Sequence, residues 1–308
     1  MDIKTVIEKR NESWENKKEI PKWVPLEKVS LDQFFTEPKI AKIYYDKMVE
    51  FLNKKGISIE DCLFIEPSAG NGEFFKLLPP SNRIGLDLYP MYEEIIQTDF
   101  LDWTPPTTNK KIIFIGNPPF GYRAWLALTF MNHVAKYADY AFFILPMSFQ
   151  SEGKGSPKNR VNGMKLLFSE YVPKDSFYEP SGKKCKINAL WQIWEKGENT
   201  REKFDTCEEF IDLFTVDQRK ERLCGQEKMK EANFFIQRTY YNQQPSLVKD
   251  FSEVKYVCGY GMIIKKDREK IINILNSTDW DKYSNLAAHN CRHISMYHIN
   301  KALLDGGL

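Results

Sequence analysis

Histidine and cysteine are scarce in this chain of 308 residues: four histidines and six cysteines, with no Cys-x-x-Cys pair. That leaves no ligand set for a structural zinc site, so no metal is expected. Cys62, Cys185, Cys207, Cys224, Cys258 and Cys291 read as reduced thiols. No apolar stretch is long enough for a membrane span, and the polar start Met1-Asp2-Ile3-Lys4 does not open a signal peptide. No membrane partner is therefore expected, and the reading places the chain in the cytoplasm or another reducing compartment. Low-complexity sequence is also missing. Hydrophobic residues at 42% and charged residues at 28% are the balance of a soluble globular protein. Charge of one sign is not in large excess: the net is +2, with 18 basic against 20 acidic residues in 1–150 and 26 against 22 in 151–308. The second half leans weakly toward a polyanion. The length suits one large α/β domain with an appended part.

What is present centres on Lys111-Ile112-Ile113-Phe114-Ile115-Gly116-Asn117-Pro118-Pro119-Phe120. The β-branched and aromatic run predicts a buried parallel strand, and two prolines that cannot donate to a ladder must end it. A loop then opens at a strand's carboxyl end, where open α/β sheets bind ligands. Its groups suit a planar amine. The Asn117 side-chain oxygen and the Pro118 carbonyl can each accept one N–H, which turns the nitrogen lone pair toward an electrophile, and Phe120 can stack on a flat substrate. Taken alone, the same residues also suit a strand-ending turn with a core Phe.

The segment before this loop supplies further strand ends. Residues 1–30, with Trp14 and Trp23, read as an N-terminal arm. After Phe34-Phe35, Thr36 can N-cap a helix with Pro38 in its first turn, and Ile40, Tyr44, Met48 and Leu52 follow at helical spacing. Cys62 to Glu66 predicts a strand running into Pro67-Ser68-Ala69-Gly70-Asn71-Gly72, a strand-to-helix turn that lets a ligand approach the backbone. No third glycine completes a dinucleotide fingerprint. A second strand, Arg83 to Asp87, ends in a carboxylate of the kind a ribose diol needs as acceptor. A third, Ile95-Ile96-Gln97, leads to Asp99-Phe100, where Asp99 equally reads as a turn or helix-cap carboxylate. A helix at 124–135 and a buried strand at 140–145 follow. This order predicts a doubly wound α/β sheet.

Five of these motifs in this order resemble the S-adenosylmethionine-dependent amino-methyltransferases of the gamma order, most closely the DNA adenine methyltransferases. Phe34-Phe35-Thr36 resembles the first motif, Glu66-Pro67-Ser68-Ala69-Gly70-Asn71-Gly72 the second, Asp87 the ribose acid, Asp99-Phe100 the adenine-ring motif and Asn117-Pro118-Pro119-Phe120 the catalytic loop. The resemblance spans roughly residues 30–195. It implies a Rossmann-like, seven-stranded, mostly parallel sheet with one antiparallel strand near its edge, with Phe177-Tyr178 and 188–194 as the last two strands. It also implies S-adenosyl-L-methionine as cofactor. Phe35, Thr36, Pro67, Ala69, Gly70, Asn71 and Gly72 would lie near its methionine part and Glu66 at the base of that pocket. Asp87 would hold the ribose, Leu88 would lie against the adenine, Asp99 would take its amino group and Phe100 would stand beside the ring. Phe120 departs from the Tyr that many relatives carry, so stacking survives and a hydroxyl is lost.

The implied activity is methylation of the exocyclic amine of adenine in DNA by base flipping and direct in-line transfer, in a restriction-modification setting that would give it a cognate endonuclease as partner. RNA adenine methyltransferases and enzymes that methylate a glutamine side-chain amide carry the same loop and stand as alternatives. The expected organisation is an arm at 1–30, a catalytic domain at 31–197 and a smaller α+β target-recognition part at 198–308. Within that last part, 204–216 has helical spacing, Phe234 to Arg238 and Tyr256 to Ile264 read as strands, and 267–275 and 296–304 as helices, the last capped by Ser295. Residues 151–190 hold eight Lys/Arg against four Asp/Glu. Within them Lys154, Lys158, Arg160, Lys183, Lys184 and Lys186 are expected at the pocket mouth as nucleic-acid contacts.

Overall fold

Apolar strands that end at a common rim build the first of two units in a computed structural model that describes residues 34–152, 155–179, 181–200, 205–220, 223–287 and 290–308. The units are residues 1–150 with 155–200, and residues 151–154 with 201–308. The arm expected at 1–30 lies outside the described residues. The first unit runs β1 (Phe35–Thr36), α1 (Pro38–Lys54), β2 (Cys62–Glu66), β3 (Arg83–Asp87), β4 (Ile96–Gln97), β5 (Lys111–Gly116), α2 (Trp125–Val134), β6 (Tyr140–Pro146), β7 (Met164–Tyr171), β8 (Phe177–Tyr178), β9 (Lys184–Cys185) and β10 (Ala189–Lys196).

Seven of these strands form one sheet in the order β4-β3-β2-β5-β6-β10-β7. Strands β2 to β6 are parallel, and β10 runs antiparallel to both β6 and β7. There is thus one reversed strand, next to the edge, as the sequence led us to expect. Side chains alternate between the sheet's faces. One face carries Phe64, Ile113, Ile115, Phe142 and Ile144 into a core with Ile40, Tyr44, Met48 and Leu52 of α1. There Tyr44 stacks on Trp191 with ring centroids 4.3 Å apart. On the other face, Phe100 packs against Phe114 and against Phe130 and His133 of α2. A helix on each face makes the sheet doubly wound.

Four expectations are corrected. Thr36 does not cap α1; it pairs with Phe177 in a small antiparallel sheet of β1, β8 and β9, and Glu37 takes the cap position without a side-chain bond. For the same reason Phe177-Tyr178 is not a strand of the main sheet. That place belongs to Met164–Tyr171, an edge strand whose mixed polarity hides it in the sequence. No α-helix follows the glycine turn: only short 3₁₀ turns at Phe75–Leu77 and Pro80–Asn82 stand before β3, because Pro79 and Pro80 leave too little chain for one. Residues 204–216 are not a helix, since Ile211–Asp217 is a strand.

The second unit consists of β11 (Ile211–Asp217), β12 (Phe234–Gln237), β13 (Thr239–Tyr240), β14 (Cys258–Ile264), α3 (Arg268–Ser277), α4 (Trp280–Tyr283), β15 (Asn285–Leu286), β16 (Arg292–His293) and α5 (Met296–Asp305). Its larger sheet is β11-β14-β12 and antiparallel throughout. Seven paired residues on β14 are what hold Ile211–Asp217 extended against its helical spacing. Ile236, Tyr260 and Met262 of the sheet share a core with Ile271 and Leu275 of α3 and Ile299 and Leu303 of α5.

Helix α5 opens with a capping box: the Ser295 hydroxyl accepts the His298 N–H, and the Ser295 N–H donates to His298 Nδ1 at 3.1 Å. His298 is 2% exposed, and burial pushes its pKa down from 6.5 to about 4. The folded ring is neutral where the unfolded ring is charged, so stability is full above pH 6.5, falls as pH drops toward 4 and levels off below. The loss attached to this ring should be about 3 kcal/mol. Denaturant titrations between pH 7 and 4 should show it, and a His298→Gln variant should lack that part of the slope. An identical slope in the variant would mean that the ring is charged in the folded protein.

Candidate active site

Strands β2, β3, β4 and β5 end on the same side, at Glu66, Asp87, Gln97 and Gly116. The residues that follow those ends line one cleft together with Phe34, Phe35 and Thr36. The glycine loop is drawn tightly across it. Gly70 has φ +52°, and a Cβ there would lie 2.9 Å from the Phe35 ring. The Gly70 N–H donates to Asp87 Oδ2 and the Tyr89 N–H to Asp87 Oδ1, both at 2.8 Å. Asp87 therefore stitches the loop to the end of β3 while it lines the cleft. Beyond the loop, Asn71 Nδ2 donates to the Tyr178 hydroxyl at 2.6 Å, which ties the loop to the β1-β8-β9 sheet.

Glu66 lies at the base, 3% exposed and packed against Gly116, where a Cβ would come within 3.1 Å of Glu66 Cγ. Its Oε2 has no hydrogen-bond partner. Burial raises its pKa well above 4.5, against the effect of the Phe75 N–H bonded to it, and the charges of Asp87 and Glu73 raise it further. Burial therefore biases the carboxyl under the loop toward its protonated form.

Asn117, the first residue after β5, has its amide fixed by one bond. Nδ2 donates to the Phe34 carbonyl at 3.0 Å, and only the NH₂ end can serve that acceptor. Oδ1 is left buried and without a partner in the wall of the cleft. A buried acceptor left unmade costs roughly 1–3 kcal/mol, so the site favours a ligand that brings an N–H. Ser68 donates its hydroxyl to the Asn117 carbonyl at 3.2 Å and thereby braces the loop against the glycine turn. After Phe120 the chain passes through Gly121 at φ +68° and then through two left-handed residues that are not glycine, Arg123 and Ala124, before α2 begins. Each of these costs about 1–2 kcal/mol, so strain is stored beside the loop.

Of the residues read from the sequence, Phe35, Thr36, Glu66, Pro67, Ala69, Gly70, Asn71, Asp87, Leu88, Asp99, Phe100, Asn117 and Pro119 line this one cleft. Gly72, Pro118 and Phe120 do not: Gly72 turns toward Lys76 and Ile95, Pro118 is buried, and Phe120 is half-buried against the α1 core. Asp99 serves two ends, since its Oδ1 also caps the 3₁₀ turn at Phe100–Asp102 through the Leu101 N–H. Sequence reasoning missed Glu73, Phe74, Tyr89, Met91, Thr98 and Phe130. Tyr89 and Met91 could have been found from their place just past the end of β3. Phe130 carries no local signal, because only the packing of α2 brings it there.

The expected cations divide. Lys154 lies outside the described residues. Lys158 and Arg160 were expected on the cleft's rim, and this is corrected. Asn132, late in α2, donates to the Arg160 carbonyl, and Asn199, past the end of the reversed strand β10, donates to the Lys158 and Val161 carbonyls. The chain has doubled back along the sheet to the end opposite the cleft. Lys183, Lys184 and Lys186 are exposed on or beside β9, in the small sheet whose β1 lines the cleft.

No family model and no curated protein matches the chain. Among solved structures, it is similar to a candidate RNA methyltransferase from Pyrococcus horikoshii, with 15% identity over 61% of this chain and 98% of that one and a TM-score of 0.40. It is also similar to the magnesium protoporphyrin IX methyltransferase of Synechocystis PCC 6803 with bound SAM, at 13% identity over 51% and 79% of the two chains with a TM-score of 0.36. A third is the N-methyltransferase NodS of Bradyrhizobium japonicum WM9, at 10% over 50% and 97% with a TM-score of 0.31. Likeness this slight fixes neither activity nor substrate.

The raised pKa of Glu66 has a measurable consequence. Its folded-state pKa is raised, so its contribution to stability is full below the unfolded value of 4.5 and is lost as pH rises toward the folded value. The loss is about 1.4 kcal/mol for each pH unit in that window. Glu66→Gln carries no such proton and should gain on the wild type by that slope as pH rises from 5. Urea midpoints for the two proteins across pH 5–8 provide the comparison, and parallel curves would show that the carboxyl ionises normally in the fold.

Proposed function

We propose that this chain transfers a methyl group from S-adenosylmethionine to the exocyclic amino nitrogen of adenine in DNA. The observation that carries the reading is the buried, unpartnered Oδ1 of Asn117 in the same cleft as the Gly70 turn and the Asp87 carboxylate. An amine conjugated to a ring is a poor nucleophile, because its lone pair is delocalised into the ring. Asn117 Oδ1 accepts one of its N–H bonds, draws the nitrogen toward tetrahedral geometry and turns the lone pair to one side. The Phe34 carbonyl keeps Asn117 from rotating, so no reorganisation is needed when charge develops on the nitrogen.

The cleft suits the cofactor. Gly70 gives backbone access that a Cβ would close, Asp87 offers carboxylate oxygens for a diol, burial disfavours a charge on Glu66 beneath the loop, and Phe100 with Phe130 gives an apolar slot beside Asp99. When bound, S-adenosylmethionine supplies an electrophilic methyl on a sulfonium. An adenine in a duplex must leave the stack to reach Asn117, at a cost of a few kcal/mol. Phe120 packs on the α1 core and does not line the cleft, so the cleft's own aromatic rings, Phe34 and Phe35 among them, are left to recover part of that cost by stacking, at roughly 1–3 kcal/mol. No cysteine is needed as a nucleophile.

Three outcomes test the reading. Labelled cofactor offered with duplex DNA, single-stranded DNA, RNA and a release factor should place the label on adenine in DNA; label on RNA or on a glutamine amide instead would reassign the substrate. Asn117→Ala should abolish transfer while calorimetry finds cofactor affinity nearly unchanged, and activity close to that of the wild type would remove the proposed mechanism. Asp87→Ala should weaken cofactor binding by about 1.5–3 kcal/mol, the range for a hydrogen bond to a charged group. An unchanged affinity would place the ribose elsewhere.

A further inference from the structure

We propose that the β8–β9 hairpin is the surface on which the phosphate backbone of the substrate nucleic acid lies. This rests on the nucleic-acid reading above. Position is the first argument. Phe35, which lines the cleft, pairs with Tyr178, and Tyr178 pairs with Lys184. Lys184 is thus two strands from the cleft wall, about 10 Å at the usual strand spacing. The hairpin does not hang free: the Tyr178 hydroxyl accepts from Asn71 of the glycine loop, and the Tyr178 ring lies 5.7 Å from that of Phe35.

Charge is the second. Residues 181–187 hold three lysines and no acid. Burial alternates along Lys184, Cys185 and Lys186 as exposed, buried, exposed, so Cys185 anchors the strand while the two lysines share its outer side. Ion pairs among the described residues engage Lys42, Lys47, Lys54, Lys55, Lys76, Lys111 and Lys165 of this unit, and none engages Lys183, Lys184 or Lys186. The nearest acid in sequence, Glu179, accepts from the Ser181 hydroxyl. Three cations without an ion-pair partner among the described residues, held in fixed relation to the residue that would receive the flipped base, match a regular polyanion. Lys158 and Arg160, equally basic in the sequence, sit at the opposite end of the sheet and make the internal control.

The test measures binding of fluorescein-labelled duplex and single-stranded oligonucleotides to the full chain over a range of salt. Replacing Lys183, Lys184 and Lys186 by Ser should lower the slope of log affinity against log salt by up to about 2.7 for duplex or about 2.1 for a single strand. Affinity for S-adenosylhomocysteine should stay unchanged, which shows that the cleft is intact. The double variant Lys158→Ser with Arg160→Ser should keep the wild-type slope. An unchanged slope in the triple variant, or an equal fall in the double one, overturns the hairpin assignment and leaves the methyl-transfer reading standing. Wild-type protein that binds neither oligonucleotide, or that binds an acidic polypeptide instead, overturns both.

Discussion

A single carboxylate holds the cleft end of the first unit together. Asp87 takes the Gly70 N–H on one oxygen and the Tyr89 N–H on the other, and so joins the loop after β2 to the loop after β3. Around that junction the other walls are set by contact. The Phe35 ring leaves room for a hydrogen at position 70 and for nothing larger. Asn71 fixes Tyr178, and Tyr178 fixes the small sheet. Ser68 then reaches across to the backbone of Asn117. The site is a short circuit of bonds between strand ends, and few of its parts are independent of Asp87.

The electrostatics of this circuit favour a ligand that brings hydrogen-bond donors. Asn117 Oδ1 is an acceptor without a donor, Asp87 and Asp99 are acceptors with backbone donors already in place, and burial pushes the Glu66 pKa well above the usual carboxylate range. Burial disfavours charge on the floor, so the negative charge of the cleft lies on the carboxylates of its rim.

Much of this was legible because the informative residues sit at strand ends. A strand's end is marked by local chemistry, a proline pair in one case, a glycine turn in another and a terminal aspartate in a third. Those signals place Asn117, Gly70 and Asp87 without knowledge of the sheet order. The parts that could not be read depend on partners distant in sequence. Thr36 looks like a cap until Phe177 pairs with it. Ile211 to Asp217 has helical spacing until β14 holds it extended. The basic residues of 151–190 look like one cluster until Lys158 and Arg160 are found bonded at the far end of α2 and β10, at the end of the sheet opposite the cleft, away from Lys184. Composition reports charge, and topology decides which end receives it.

The turn that replaces a helix between β2 and β3 bears on local stability. A helix there would lay several turns of backbone hydrogen bonds over the β3–β4 side of the sheet. In its place stand two short 3₁₀ turns, and β4, the outermost strand, pairs through two residues alone. Opening of this edge therefore breaks few bonds, and the free energy that separates its closed and frayed forms is small beside that of β5 or β6. A molecule bound in the cleft touches Asp87, Leu88 and Asp99 on this same edge, so part of its binding free energy is spent on closing it. The weakest side of the sheet is thus the side on which a ligand acts as a structural member.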